Sequence, residues 1–153
     1  MWTATQFSIF MVNKPGVLAQ VLGEFARAKV NILAMTIMDS AEHGVMRVVF
    51  DQPDKSRGIL SGLNMPFSET DALCVSLENK SGALAAVMEK LAKEHINVSY
   101  AYCTAGAKGG RTTGVLKVVD AKKAMRILDQ GRKKIDNTGQ AIRRPRSGKR
   151  SIS

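Results

Sequence analysis

The sequence predicts an α+β chain made of two tandem strand-helix-strand-strand-helix-strand units, on three observations. The turn Asn13-Lys14-Pro15-Gly16-Val17-Leu18 recurs 66 residues later as Asn79-Lys80-Ser81-Gly82-Ala83-Leu84. The same offset carries Ala19 onto Ala85, Val21 onto Val87, Ala26 onto Ala92 and Asn31 onto Asn97 as identities, with Phe25/Leu91 and Ile32/Val98 as apolar matches. In both copies the apolar residues switch from alternation to helical spacing and back. A duplicated unit of about seventy residues in a chain of 153 divides it into units at 1–68 and 69–141, with a tail at 142–153. Units this small bury a modest fraction of their surface, so the pair is expected to share an interface.

In the first unit, Gln6 to Val12 alternates, with Phe7, Ile9 and Met11 on one face, as a half-covered strand requires. The glycine turn stops it, and Pro15 suits the first turn of a helix, where its missing N–H has no partner to lose. Val17, Leu18, Val21, Leu22 and Phe25 then recur at helical spacing to about Lys29. Asn31–Met38 and Gly44–Asp51 read as a hairpin of strands, Pro53 opens a second helix bearing Ile59, Leu60 and Leu63, and Phe67–Thr70 forms a short fourth strand.

The second unit repeats the order. Leu73–Leu77 is a strand, Leu84, Val87, Met88 and Leu91 form a helical stripe, and Asn97–Cys103 and Gly114–Val119 are strands. Gly114-Val115 matches Gly44-Val45 at an offset of 70, so this hairpin is longer by a Gly-rich insertion around residues 105–111, read as a hairpin tip. A helix follows at Ala121–Leu128, and a last strand is expected near Ile135–Ala141. A crossover helix between parallel neighbours and a central hairpin make each unit ferredoxin-like, with the helices on one face of the sheet and the two units packed side by side.

Net charge is +10, of which the last 22 residues hold +7, eight Lys or Arg against Asp136. A basic segment attracts polyanions, but Arg143–Arg150 has no aromatic for base stacking and no apolar residues for a core, so it reads as a solvated, disordered tail. No secretory pattern and no membrane-length apolar run is present, which makes a cytoplasmic protein the expectation. Cys74 and Cys103 lie in strand-like segments and read as reduced, buried small residues.

The glycine turn is the feature with binding chemistry. A helix N-terminus presents unsatisfied N–H groups and partial positive charge, and glycine lets a ligand approach the backbone, which suits a carboxylate. Asparagine offers an acceptor and a donor without charge, so Asn13 or Asn79 suits the ends of a free amino acid. Asn31 and Asn97 begin the strands after the helices, roughly 20 Å from their own turns for a helix of about thirteen residues. A neighbouring unit must therefore supply the other half of a site.

At these residues the sequence resembles the ACT domain, a family of small amino-acid-sensing modules with this element order. The pattern is Asn-x-Pro-Gly-x-Leu followed by an Asn-Ile or Asn-Val strand start. The first unit has it as Asn13, Pro15, Gly16, Leu18, Asn31 and Ile32, and the second as Asn79, Gly82, Leu84, Asn97 and Val98, departing at Ser81. Serine still caps or begins a helix. The resemblance covers about 140 residues and omits the tail. It implies ligand sites between units, one near Asn13, Gly16, Val17 and Asn97, the other near Asn79, Gly82, Ala83 and Asn31. Ser81 and the longer hairpin single out the Asn79 site as the more diverged.

An ordinary strand-to-helix turn uses the same residues, and for one copy that plain role is favoured. The asparagines at both ends of both helices tip the reading toward binding. No phosphate-loop spacing exists around Gly106–Gly114, His43 and His95 have no ligand partner at metal spacing, and no nucleophile has a base beside it. The expectation is thus a non-enzyme without metal or cofactor: an amino-acid-binding regulator, homodimeric, passing its state to a protein partner. The alternative is a basic-tailed, nucleic-acid-associated regulator whose paired units serve only dimerisation.

Overall fold

The computed structural model describes residues 1–38, 43–104, 106 and 109–139, with side chains described to residue 130. Its elements run β1 (Trp2–Val12), α1 (Val17–Arg27), β2 (Ile32–Met38), β3 (His43–Phe50), α2 (Pro53–Gly62), β4 (Phe67–Glu78), α3 (Ala83–Lys93), β5 (Val98–Cys103), β6 (Arg111–Val118) and α4 (Ala121–Gly139). All six strands form one antiparallel sheet in the order β2-β3-β1-β4-β6-β5. The units are two ferredoxin-like repeats, and the sheet is continuous across them.

That continuity comes from two long strands shared by both units. The expected strands at Phe67–Thr70 and Leu73–Leu77 are a single strand, β4, which runs through the boundary between residues 68 and 69. Its first residues pair with β1 as the fourth strand of the first unit, Phe67 opposite Ile9, and its last pair with β6 as the first strand of the second unit, Leu77 opposite Thr112. β1 is shared in the same way, since Trp2, Thr3 and Ala4 lie opposite Cys74, Leu73 and Ala72. Thr5 faces Asp71, which is also the residue 66 positions after it. The repeat maps this pair onto itself, so a pseudo-two-fold axis passes between them.

The shared strands correct the expectation of a strand at Ile135–Ala141. Residues 135–139 continue α4, and residues 140 and 141, like the basic tail at 142–153, lie outside the described residues. The place beside β4 that a fourth strand of the second unit would take is held by Trp2–Ala4. With the edge at Ala72–Cys74 already taken, a run containing Arg132, Lys133 and Lys134 follows its helix propensity instead.

Burial follows the pleat. Phe7, Ile9 and Met11 meet Val21 and Phe25 of α1, Met46, Val48 and Phe50 of β3 and Leu60 of α2, all buried. Leu73, Val75 and Leu77 meet Leu91, Leu116, Val118 and Leu128 in the matching core of the second unit. Phe25 stacks on Phe50 with centroids 4.2 Å apart, and Phe7 tilts against Phe50 and Phe67 at 5.8 Å from each. These aromatic pairs add to the area term that dominates such cores.

The helix-free face has its own cluster of Ala34, Val49, Ala72, Cys74 and Val115. At its centre Gln6 is fully buried yet satisfied: its Nε2 donates to Tyr100 Oη at 2.7 Å, and Tyr102 Oη donates to its Oε1 at 2.9 Å. In a flat sheet β5 would lie three strand spacings, about 14 Å, from β1. The sheet therefore curls, bringing edge strands β2 and β5 toward each other. The Arg47 guanidinium sits 4.0 Å over the Tyr100 ring, a cation–π contact between the units. Burial pushes the Tyr102 hydroxyl well above the usual phenol range, so it remains a donor.

Both cysteines are free, but only Cys74 is buried; Cys103 is exposed, contrary to the expectation from its strand, because β5 is an edge strand. Burial pushes the Cys74 thiol up to about 11. One thiol per chain is therefore expected to react with a disulfide reagent in the native protein and two after denaturation, as read by absorbance. Gln6→Leu leaves two tyrosine hydroxyls without their partner and is expected to cost about 1–3 kcal/mol, measured as a lower urea midpoint at unchanged slope.

Candidate functional site

Both glycine turns fold alike. Gly16 has φ 87° and Gly82 φ 81°, and each is followed directly by its helix with no side-chain cap. A Cβ at either glycine would meet nothing within 4 Å, so it is the left-handed backbone, not space, that calls for glycine. Gln20 N–H donates to Gly16 O and Ala86 N–H to Gly82 O, both at 2.9 Å. Val17 N–H bonds back to Lys14 O at 3.4 Å and Ala83 N–H to Lys80 O at 3.3 Å, so the next two amides of each first turn, those of Leu18 and Ala19 and of Leu84 and Ala85, are the ones left to water or a ligand. Asn13, Pro15 and Gly16 are exposed, with Val17 and Leu18 half-buried behind them.

The strand starts are equally alike. Lys29 and His95 take left-handed conformations, φ 56° and 55°, at the ends of α1 and α3 and turn the chain into β2 and β5. Asn31 and Asn97 are exposed, and Ile32 and Val98 half-buried. Asn31 N–H donates to Asp51 Oδ1 at 2.9 Å, and Asp51 N–H returns a bond to Asn31 O at 3.1 Å.

Register decides what meets. Val98 pairs with Val118 and Leu73 with Leu116, which puts Val98 level with Asp71 and Asn97 level with Thr70, hence with Gln6 on β1. Asn13 lies some seven residues further along, roughly 23 Å away in the strand direction alone. By the pseudo-two-fold, Asn79 and Asn31 are separated in the same way. By register, neither crossed pair comes together within one chain.

The turns differ in their surroundings. Asn79 is held by the Gly-rich insertion: its Nδ2 donates to Gly106 O at 2.8 Å, its N–H to Gly110 O at 2.8 Å, and its carbonyl accepts from Gly109 N–H at 3.3 Å. Gly106, Gly109 and Gly110 are thereby docked on the second turn, and Arg111 begins β6 directly after them. Arg111 Nε donates to Ser76 Oγ at 2.7 Å and an Nη to Ser76 O at 3.0 Å.

Next to Gly82 lies a cleft of about 300 Å³ whose floor is Val75, Leu77, Val87 and Leu128 and whose polar rim is Glu78, Lys80, Lys90 and Arg111. Lys80 pairs with Glu78 and, with the field of Arg111, holds its carboxyl below the usual range. The sequence reading missed Lys90 and Arg111. Lys90 was legible as the next member of the helical row Ala83, Ala86 and Val87; Arg111 was not, because only the docking of the insertion places it. No group of three or more His, Cys, Asp or Glu side chains among the described residues is arranged to hold a metal.

The family pattern described as the ACT domain pair matches residues 2–137. The chain belongs to the ACT domain-pair family. It is similar to protein BT0572 from Bacteroides thetaiotaomicron, 29% identical, covering 85% of this chain and 89% of that one with a TM-score of 0.78. Its fold is also that of the ligand-free regulatory subunit of aspartate kinase from Thermus thermophilus, 14% identical over 84% of this chain and 91% of that one, TM-score 0.62. No curated protein matches.

Asn79→Ala is expected to cost about 0.5–1.5 kcal/mol by freeing the insertion, whereas Asn13→Ala, at an exposed position, is expected to stay within about 0.5 kcal/mol. Urea denaturation of the two variants checks the contrast.

Proposed function

We propose that this chain is a non-catalytic regulatory protein that binds a free amino acid at its glycine turns and works as a homodimer. The observation that carries the reading is the pair of uncapped α-helix N-termini behind left-handed glycines at Gly16 and Gly82, each with backbone donors open to a carboxylate. Membership of the ACT domain-pair family and the likeness to a regulatory subunit support the same role. The register supports the dimer, since a strand-start asparagine reaches a turn only from a second copy. Asn13, Gly16 and Val17 of one copy then face Asn97 and Val98 of the other, and Asn79, Gly82, Ala83 and Leu84 face Asn31 and Ile32.

Regulation requires that the ligand favour one of two arrangements. A shift in how the copies pack supplies such a pair of states and gives a partner protein something to read. A cytoplasmic location fits this role, and no helix among the described residues is long and apolar enough to cross a membrane.

A thermal-shift screen of the full chain against the twenty amino acids tests the reading. Ligand at about a hundred times its dissociation constant stabilises by roughly 2.7 kcal/mol, a visible rise in Tm. A flat response to all twenty refutes it. Given a hit, light scattering with and without that amino acid is expected to report two copies per particle.

A further inference from the structure

We infer that the cleft beside Gly82 selects an amino acid with an anionic side chain, a dicarboxylate of aspartate or glutamate size; this rests on the amino-acid-binding reading above and names its ligand class. Charge is the first ground. Among the described lining residues, three cationic side chains, Lys80, Lys90 and Arg111, stand against one carboxylate, Glu78, so two positive charges remain in excess. Lys90 is half-buried with its stem along the α3 face. Arg111 is anchored on Ser76 by Nε and one Nη, which fixes the guanidinium while leaving other N–H donors to a ligand. A zwitterion with a neutral side chain brings no net charge to such a rim; a dicarboxylate brings one negative charge and, at Arg111, a geometry suited to a carboxylate.

The second ground is the floor's edge. Pairing of β1 with β4 ends at Trp2 and Cys74, so on that side the main chain of Val75–Glu78 borders the cleft without a strand partner among the described residues. Ser76 O already accepts from Arg111 and Glu78 O from Lys80 N–H, so what this edge offers an α-carboxylate is main-chain N–H donors. The side-chain carboxylate then reaches the rim at Lys90 and Arg111. At about 300 Å³ the cleft is at the small end for ligand sites, in keeping with a single amino acid.

The first unit lacks this arrangement. Phe67 packs into its core against Phe7, with centroids 5.8 Å apart, and the residue 66 positions before Lys90 is Glu24, which is paired with Arg27. The preference therefore belongs to the second turn. The insertion docked by Asn79 is what completes that site, because it leads the chain into Arg111.

Isothermal titration of the full chain with L-aspartate, L-glutamate, L-asparagine and L-glutamine, at low salt and neutral pH, tests the inference. The better acid is expected to bind at least about tenfold tighter than its amide. Lys90→Met is expected to remove that preference while leaving Tm unchanged, and Lys90→Arg to restore it. Amides that bind as tightly as the acids, or an acid preference that survives Lys90→Met, overturn the ligand class and leave the amino-acid reading standing. No heat from these four, together with a flat thermal screen, overturns both.

Discussion

The antiparallel pairing of β1 with β4 is the constraint on which the rest depends. Each strand is long enough to serve both units, so the sheet has no seam and the helices of both units lie on one face. The register of this pair, Thr5 opposite Asp71, sets the pseudo-two-fold and therefore the position of every repeated feature. It also takes the edge at Ala72–Cys74 that a fourth strand of the second unit, expected at Ile135–Ala141, would need, and α4 continues as helix. A one-residue slip would turn Phe7, Ile9 and Leu73 away from the helices, so the alternation of the core residues holds the register in place.

The curl of the sheet is the second consequence. Tyr100 and Tyr102 on β5 reach Gln6 on β1, and Arg47 on β3 covers Tyr100, so the units are joined on the helix-free face by an amide and two hydroxyls that satisfy one another and by a cation–π contact, Arg47 Nε being buried without a hydrogen-bond partner. Such a network favours one relative placement of the units over others, because a shift would leave buried hydroxyls and an amide without partners. The pair then behaves as one body.

The same duplication has produced two turns with one backbone and two environments. The first turn is open, with an aromatic core closing behind it; the second has a docked insertion, a cleft and a basic rim. Ser81 and the longer hairpin distinguish the second turn, beside which Lys90 and Arg111 line the cleft.

Much of this was legible in the residues. The offset of 66, the alternation from Gln6 to Val12 and the helical rows of α1 and α3 follow from local chemistry, and so do the left-handed glycines, since no side chain within 4 Å is needed to explain them. The merging of two expected strands into β4, the use of Trp2–Ala4 as the second unit's missing strand, the exposure of Cys103 and the gathering of Lys90 with Arg111 were decided by pairing between segments far apart in the chain. Periodicity reports which face of a segment is apolar and where a turn must fall. It does not report which edge is already taken, and edges, shared by strands some 70 residues apart, determined both the sheet and the cleft.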